Sequence, residues 1–231
     1  MRPLVPDSAM PETFGAIIVA AGSGTRMEGL DKLFTHVGGR PLLAHAVIPF
    51  EDCREVDRIV VVLSEENLER GRSMLAEHSL TKLAGVCAGG ARRQDSVRCG
   101  LETLGEVDWV AVHDGGRPLV KPGMIARGLE AARETGASVP IVPLVDTIKE
   151  VADDETVMRT LDRRRLWAAQ TPQVFRYDLL MRAHRAITED VTDDAAMVEM
   201  LGVPVKTYEG RRRNIKITTP DDMTMAEAYL G

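Results

Sequence analysis

The 231-residue chain has three cysteines, no long apolar run and no excess of positive charge, and each of these absences excludes a class of protein. Cys53, Cys87 and Cys99 are odd in number, lack C-x-x-C spacing and sit in or beside apolar runs. That argues against a disulfide framework or a thiolate metal site and for free thiols in a packed interior. No apolar stretch nears the ~20 residues that a bilayer-spanning helix needs. Residues 1–13 carry Pro3, Pro6 and Pro11 without a continuous apolar core of signal-peptide length, so they read as a flexible extension on a cytoplasmic protein. A formal net charge of -6 and a pI of about 5.5 leave no global field to draw the chain to nucleic acid or to an anionic membrane. A polyanionic ligand must be met by a local cluster of cations.

What is present is a chain 44% hydrophobic and 28% charged, enough to bury a core in one α/β domain spanning 14–231. Apolar runs at Ala16–Ala20, Ile59–Leu63, Leu83–Ala88, Trp109–His113 and Ala137–Val142 predict strands. Helical stretches at Glu65–Glu77, Ser96–Leu104 and Pro122–Thr135 fall between them, the last with proline in its favoured first turn. Such alternation predicts a Rossmann-like, doubly wound, mostly parallel sheet with ligands bound beyond the carboxyl ends of its strands. The rhythm breaks after Pro143. Thr147–Val151 and Val157–Leu161 flank the polar turn Asp153-Asp154-Glu155, which predicts a protruding β-hairpin arm at about 144–165. Helices are expected again at Tyr177–Thr188, Asp193–Leu201 and Pro220–Leu230, with short strands at Val205–Tyr208 and Asn214–Ile217.

The first strand runs into Ala20-Ala21-Gly22-Ser23-Gly24-Thr25-Arg26-Met27, followed by Lys32. A small-residue loop can wrap phosphates with its backbone N–H groups, and the cations Arg26 and Lys32 suit a triphosphate. A dinucleotide fingerprint would need a third glycine where Met27 stands, and no Gly-Lys-Ser/Thr follows to make a Walker loop. Gly89-Gly90-Ala91-Arg92-Arg93-Gln94-Asp95-Ser96 follows the third strand and opens the second of these helical stretches, with Ser96 either the helix N-cap or a contact to a base edge. Asp114 ends the fourth strand in Val112-His113-Asp114-Gly115-Gly116-Arg117-Pro118, placed to hold Mg2+ against phosphate oxygens. His113 beside it reads as a packed strand-end residue. Taken singly, Asp146-Thr147, Asp162-Arg163, Thr192-Asp193 and Asn214-Ile215-Lys216 are ordinary: a strand end, an exposed arginine run, a helix cap and a strand lysine.

Taken together, AAGSGTRM with DKLF, GGARRQDSV, VHDGGRP, VDTIKEV, QTPQVF and GRRRNIKITTPDD resemble the 2-C-methyl-D-erythritol 4-phosphate cytidylyltransferases, in order from about Ala16 to Leu230. The pattern departs from the commonest one at Gly115-Gly116 and at Leu33. The resemblance implies transfer of CMP from CTP to methylerythritol phosphate with Mg2+, and a homodimer whose arm reaches into the partner. By motif position it implies that Arg26 and Lys32 stabilise the transition state, and that Ala20, Ala21, Gly22, Gly24, Thr25, Gly90, Ala91, Arg93, Ser96 and Asp114 meet the nucleotide. It places Arg163 and Lys216 on the polyol phosphate, helped by Asp114, Gly115, Arg117, Thr147 and Thr192. A cytidylyltransferase for another polyol phosphate such as ribitol 5-phosphate would share the nucleotide half. A catalytically silent nucleotide-sugar-binding regulator would bind CTP without releasing pyrophosphate, and a nicotinamide dehydrogenase would need the missing glycine and a ribose-binding acid.

Overall fold

The structure, a computed structural model, describes residues 11–22 and 32–230. Its strands are β1 (Phe14–Ala20), β2 (His36–Val37), β3 (Arg40–Pro41), β4 (Arg58–Leu63), β5 (Leu83–Ala88), β6 (Trp109–Asp114), β7 (Ala137–Pro143), β8 (Lys149–Val151), β9 (Val157–Thr160), β10 (Trp167–Ala169), β11 (Gln173–Arg176) and β12 (Lys206–Glu209). The helices are α1 (Leu42–Glu51), α2 (Leu68–Ala76), α3 (Arg93–Leu104), α4 (Pro122–Thr135), α5 (Tyr177–Ala186), α6 (Asp194–Met200) and α7 (Pro220–Leu230).

Alternate side chains of the central strands enter two different cores. Ala16, Ile18 and Ala20 of β1 join Ile59, Val61 and Leu63 of β4 and Ala111 of β6 against α1, α2 and α4. Ile17, Val60, Val62, Val110 and Val112 face the other way, onto Val97 and Leu101 of α3 and Leu180 of α5. A strand covered on both faces has no polar side, which is why these segments read as unbroken apolar runs. The strand order is β10-β7-β11-β6-β1-β4-β5, with β12 also paired to β7. β1, β4, β5 and β6 are mutually parallel, as are β7 and β12. β11 runs antiparallel between β6 and β7, and β10 antiparallel to β7. The expected α/β, mostly parallel sheet is therefore present, with its winding reversed between β1 and β6. Val19 lies opposite Asp114 and Ala20 opposite Leu63, so the carboxyl ends of these strands form one ledge at the switch point.

Local chemistry explains most element ends. α4 begins with Pro122 at its first turn and stops at Gly136, whose φ of 92° is the left-handed cap that glycine adopts without a Cβ clash. α3 begins three residues before the predicted start, because the Asp95 carboxylate accepts from the Arg92 N–H at 3.2 Å and closes the first turn. Ser96 consequently lies inside the helix and is not its N-cap. Asn214–Ile217, expected as a strand, is an irregular segment held by hydrogen bonds to the loop after β6. α1 was not foreseen, since it is apolar on most faces and contains Pro49. β10 and β11 were not foreseen either.

Among the described residues β8 and β9 pair only with each other, forming the arm outside the main sheet. Glu155 in its turn has a φ of 64°. The arm and its base expose Val145, Val151, Val157, Met158 and Trp167, each 49–65% accessible. Among the described residues no helix is long and apolar enough to cross a membrane.

Candidate active site

Two cavities open along the carboxyl ledge and share a wall. The larger, about 420 Å³, is lined by the end of β1 (Ala20, Ala21, Gly22), the loop into α3 (Gly90, Ala91, Arg93, Ser96), Lys32, Asp114 and Lys216. The smaller, about 240 Å³, is lined by Arg117, Gln170, Thr171, Gln173, Thr192 and Asp193, and again by Arg93, Asp114 and Lys216. Of the residues nominated from sequence, the nucleotide set thus falls around the larger space, and Arg117 and Thr192 around the smaller. Gly24, Thr25 and Arg26 lie outside the described residues. Thr147 and Arg163 line neither cavity: both are exposed on or beside the arm, where an Arg163 Nη1 donates to the Val145 carbonyl. Gly115 also lines neither cavity. Its N–H donates to the Val19 carbonyl at 2.8 Å and a Cβ there would meet that of Ala20 at 2.8 Å, so this position lets β6 close against β1.

Asp114 is the electrostatic centre. The Nζ of Lys216 lies 2.9 Å from its Oδ2, the Nε of Arg93 3.3 Å from its Oδ1, and the Nε of Arg117 3.6 Å from its Oδ2. Burial alone would raise the carboxyl, but the charges of Arg93, Lys216 and Arg117 overcome it and hold Asp114 well below the usual carboxylate range. Arg117 is pulled below its ordinary value by burial, partly offset by Asp114, and its Nη1 donates to the Asn214 carbonyl at 2.8 Å. Lys32, in a short 3-10 turn anchored by buried Leu33 and Phe34, donates its Nζ to the Ile217 carbonyl at 3.0 Å. Lysines from opposite ends of the chain are thereby brought to one rim.

The neighbours of Asp114 are held by hydrogen bonds rather than left to react. Fully buried His113 donates Nε2–H to the Arg117 carbonyl at 3.1 Å and accepts at Nδ1 from the Thr171 hydroxyl at 3.0 Å. That hydroxyl in turn accepts from the Asp114 N–H at 3.0 Å. Burial lowers the His113 pKa to about 4, so the ring is neutral at physiological pH and serves as a brace. Ser96 accepts from the Gly90 N–H and donates to the Arg92 carbonyl, each at 3.1 Å. Thr218 donates to Asp222 at 2.8 Å. Among the described residues these are the two hydroxyls of the larger cavity, and both protons are committed elsewhere.

Asp114 is also the only carboxylate among the described residues lining the larger cavity. Nowhere among the described residues do three or more His, Cys, Asp or Glu side chains converge to cage a metal. The donor set therefore fits a hard cation carried mainly by a ligand's phosphates and waters, with one protein oxygen at most. The expected cap role of Thr192-Asp193 is met by Asp193, whose Oδ1 accepts from the Ala196 N–H at 2.9 Å. Sequence reasoning gave no role to Gln170, Thr171 or Gln173, although the QTPQVF segment that holds them was one of the motifs.

Comparison with known proteins gives the same picture. The family model for 2-C-methyl-D-erythritol 4-phosphate cytidylyltransferase (IspD) matches residues 14–231. The chain is 47% identical over 219 residues to the protein of that description from Dehalococcoides mccartyi (strain CBDB1), covering 95% of this chain and 96% of the relative. It is 42% identical over 221 residues to that from Syntrophus aciditrophicus, covering 93% and 94%. Among solved structures, 4-diphosphocytidyl-2C-methyl-D-erythritol synthase from Anaerococcus prevotii aligns with a TM-score of 0.84 at 30% identity, covering 95% of this chain and 96% of that one. The cytidylyltransferase from Thermus thermophilus aligns with a TM-score of 0.75 at 36% identity, covering 96% and 99%.

Proposed function

The chain belongs to the 2-C-methyl-D-erythritol 4-phosphate cytidylyltransferase family, and from that premise we propose that it transfers CMP from CTP to 2-C-methyl-D-erythritol 4-phosphate, releasing pyrophosphate in isoprenoid precursor synthesis. The observation that carries this reading is the pair of adjoining cavities sharing Asp114, Lys216 and Arg93. One space suits a nucleoside triphosphate, the other a small polyol phosphate, and the cations lie between them where the two reacting phosphates would meet.

The substrate's phosphate oxygen attacks the α-phosphorus of CTP in line, and the bond to the departing pyrophosphate breaks. A phosphate monoester is largely anionic near neutrality, so it needs no general base, in keeping with a neutral, doubly bonded His113. Transfer is direct, without a covalent enzyme intermediate, in keeping with the engaged protons of Ser96 and Thr218 among the described residues of the larger cavity. Catalysis then rests on alignment and on cations placed where charge builds. Lys32 and Arg26 act on the triphosphate, Lys216 and Arg117 on the polyol phosphate, and Gly90, Ala91 and Ser96 surround the base. Mg2+, when bound, neutralises and orients the triphosphate, and Asp114 is the residue that would offer it an oxygen. The exposed apolar arm, with Thr147 and Arg163 outside both cavities, supports a homodimer in which each arm serves the partner's site.

Pyrophosphate release measured with each of four nucleoside triphosphates, against methylerythritol phosphate and ribitol 5-phosphate, tests the proposal. Turnover is expected with CTP and methylerythritol phosphate. Turnover with the ribitol substrate alone would overturn the acceptor assignment, and binding of CTP without pyrophosphate release would overturn the reaction.

A further inference from the structure

Behind the shared wall lies a second carboxylate to which the proposed reaction gives no part. Asp194, the first residue of α6, is fully buried. Its Oδ2 accepts from Arg93 Nη1 at 2.7 Å, a shorter contact than the 3.3 Å from Arg93 Nε to Asp114. Among the described residues its Oδ1 has no hydrogen-bond partner, and it faces His184 Nε2 at 4.0 Å, which has none either. Burial lowers the pKa of His184, with Asp194 opposing and Arg98 and Arg93 adding to the effect, which disfavours the charged ring as a counter-charge for the acid. Helix capping does not account for Asp194, because Asp193 already occupies the cap. A buried carboxylate with one unpaired oxygen and a single cationic partner is costly to keep. What it does geometrically is pull one edge of the Arg93 guanidinium away from the ledge.

We propose that Asp194 is a positioning residue: it holds Arg93 by its far edge so that only Nε reaches Asp114, leaving the carboxylate's other oxygen to Lys216, to Arg117 and to the acceptor substrate. This rests on the cytidylyl-transfer reading. Without the anchor, Arg93 turns its planar fork onto Asp114 as a bidentate pair and occupies the oxygens that orient the polyol phosphate. The effect therefore falls on the acceptor rather than on the nucleotide.

The test is steady-state pyrophosphate release by the full-length wild type, D194N, R93Q and the double variant, with thermal melting of each. D194N is expected to raise KM for methylerythritol phosphate about tenfold, as the loss of a charge-assisted contact implies, while KM for CTP stays within about threefold. In an R93Q background D194N should add less than about twofold, because it acts through Arg93. D194S removes the same charge with a smaller side chain and should show the same acceptor-selective rise if D194N fails to fold. Unchanged acceptor KM in D194N and D194S, equal rises for both substrates, or multiplicative losses in the double variant would each overturn the proposal. A wild type that releases no pyrophosphate would instead overturn the reaction on which it rests.

Discussion

Replacing Asp114 by asparagine keeps the shape of the side chain and removes the charge on which three cations converge. At an effective dielectric constant near 20, each contact of about 3 Å is a gross attraction of about 5 kcal/mol. Most of that is offset by desolvation, and breaking a buried pair typically costs about 3–5 kcal/mol net. The low end applies here. Arg93 retains Asp194, and Lys216, with 45% of its side chain exposed, can hydrate. Only Arg117, with 12% exposed, is stranded. About 3 kcal/mol in a chain of this size lowers the melting temperature by roughly 6–12 °C. Turnover suffers separately: loss of hydrogen bonds to a charged group, about 1.5–3 kcal/mol, is a fall of roughly 10- to 150-fold in kcat/KM for the polyol phosphate. Affinity for CTP titrated without Mg2+ moves the other way or not at all, because the variant leaves more uncompensated positive charge around the larger cavity. Circular-dichroism melting, a coupled pyrophosphate assay and calorimetric titration with CTP read the three quantities. A melting temperature within about 2 °C of wild type with kcat/KM within about twofold would refute the reasoning, as would CTP affinity falling in step with turnover.

Two further outcomes follow from other parts of the molecule. His113 has a pKa of about 4 when folded against an ordinary value near 6.5, so the unfolded chain takes up the proton first. Its stabilisation is complete above about pH 6.5 and is lost as pH falls towards 4, by about 3 kcal/mol in all. The difference in melting temperature between wild type and H113Q should therefore narrow between pH 7 and 4.5, and a constant difference would refute the assignment. On the proposed homodimer, R163A and K216A protomers should each be inactive alone, and mixing with subunit exchange should restore about a quarter of wild-type activity through heterodimers with one intact site. No recovery despite exchange would show that each chain uses its own Arg163.

The sheet was legible because its central strands are buried on both faces, and Ile59–Leu63 or Trp109–Val112 can then be nothing but apolar. α4 was legible to the residue, since Pro122 and Gly136 mark both of its ends. The segments that escaped are those whose state depends on distant partners. β10 and β11 are short and mixed in composition, and they exist by adding to β7 and β6. Asn214–Ile217 has the apolar content of a strand, but it turns aside to hydrogen-bond with Gln170, Thr171 and Gly116. At the site, the cations and Asp114 were marked by their position after strands and glycines. Asp194 carried no such mark. It follows an evident cap residue, and only the fold reveals that it reaches Arg93, 101 positions earlier in the chain.

The wall common to the two cavities also links their occupants thermodynamically. On the proposed reading, a triphosphate entering the larger space competes with Asp114 for Arg93, and each hydrogen bond it draws off returns accepting capacity to the carboxylate on the side of the smaller space. On that reading the first ligand prepares the seat of the second. By reciprocity, the second tightens the first to the same degree. On the proposed reading, the ordering of substrates would be written in the charge of a single side chain rather than in the closing of a lid.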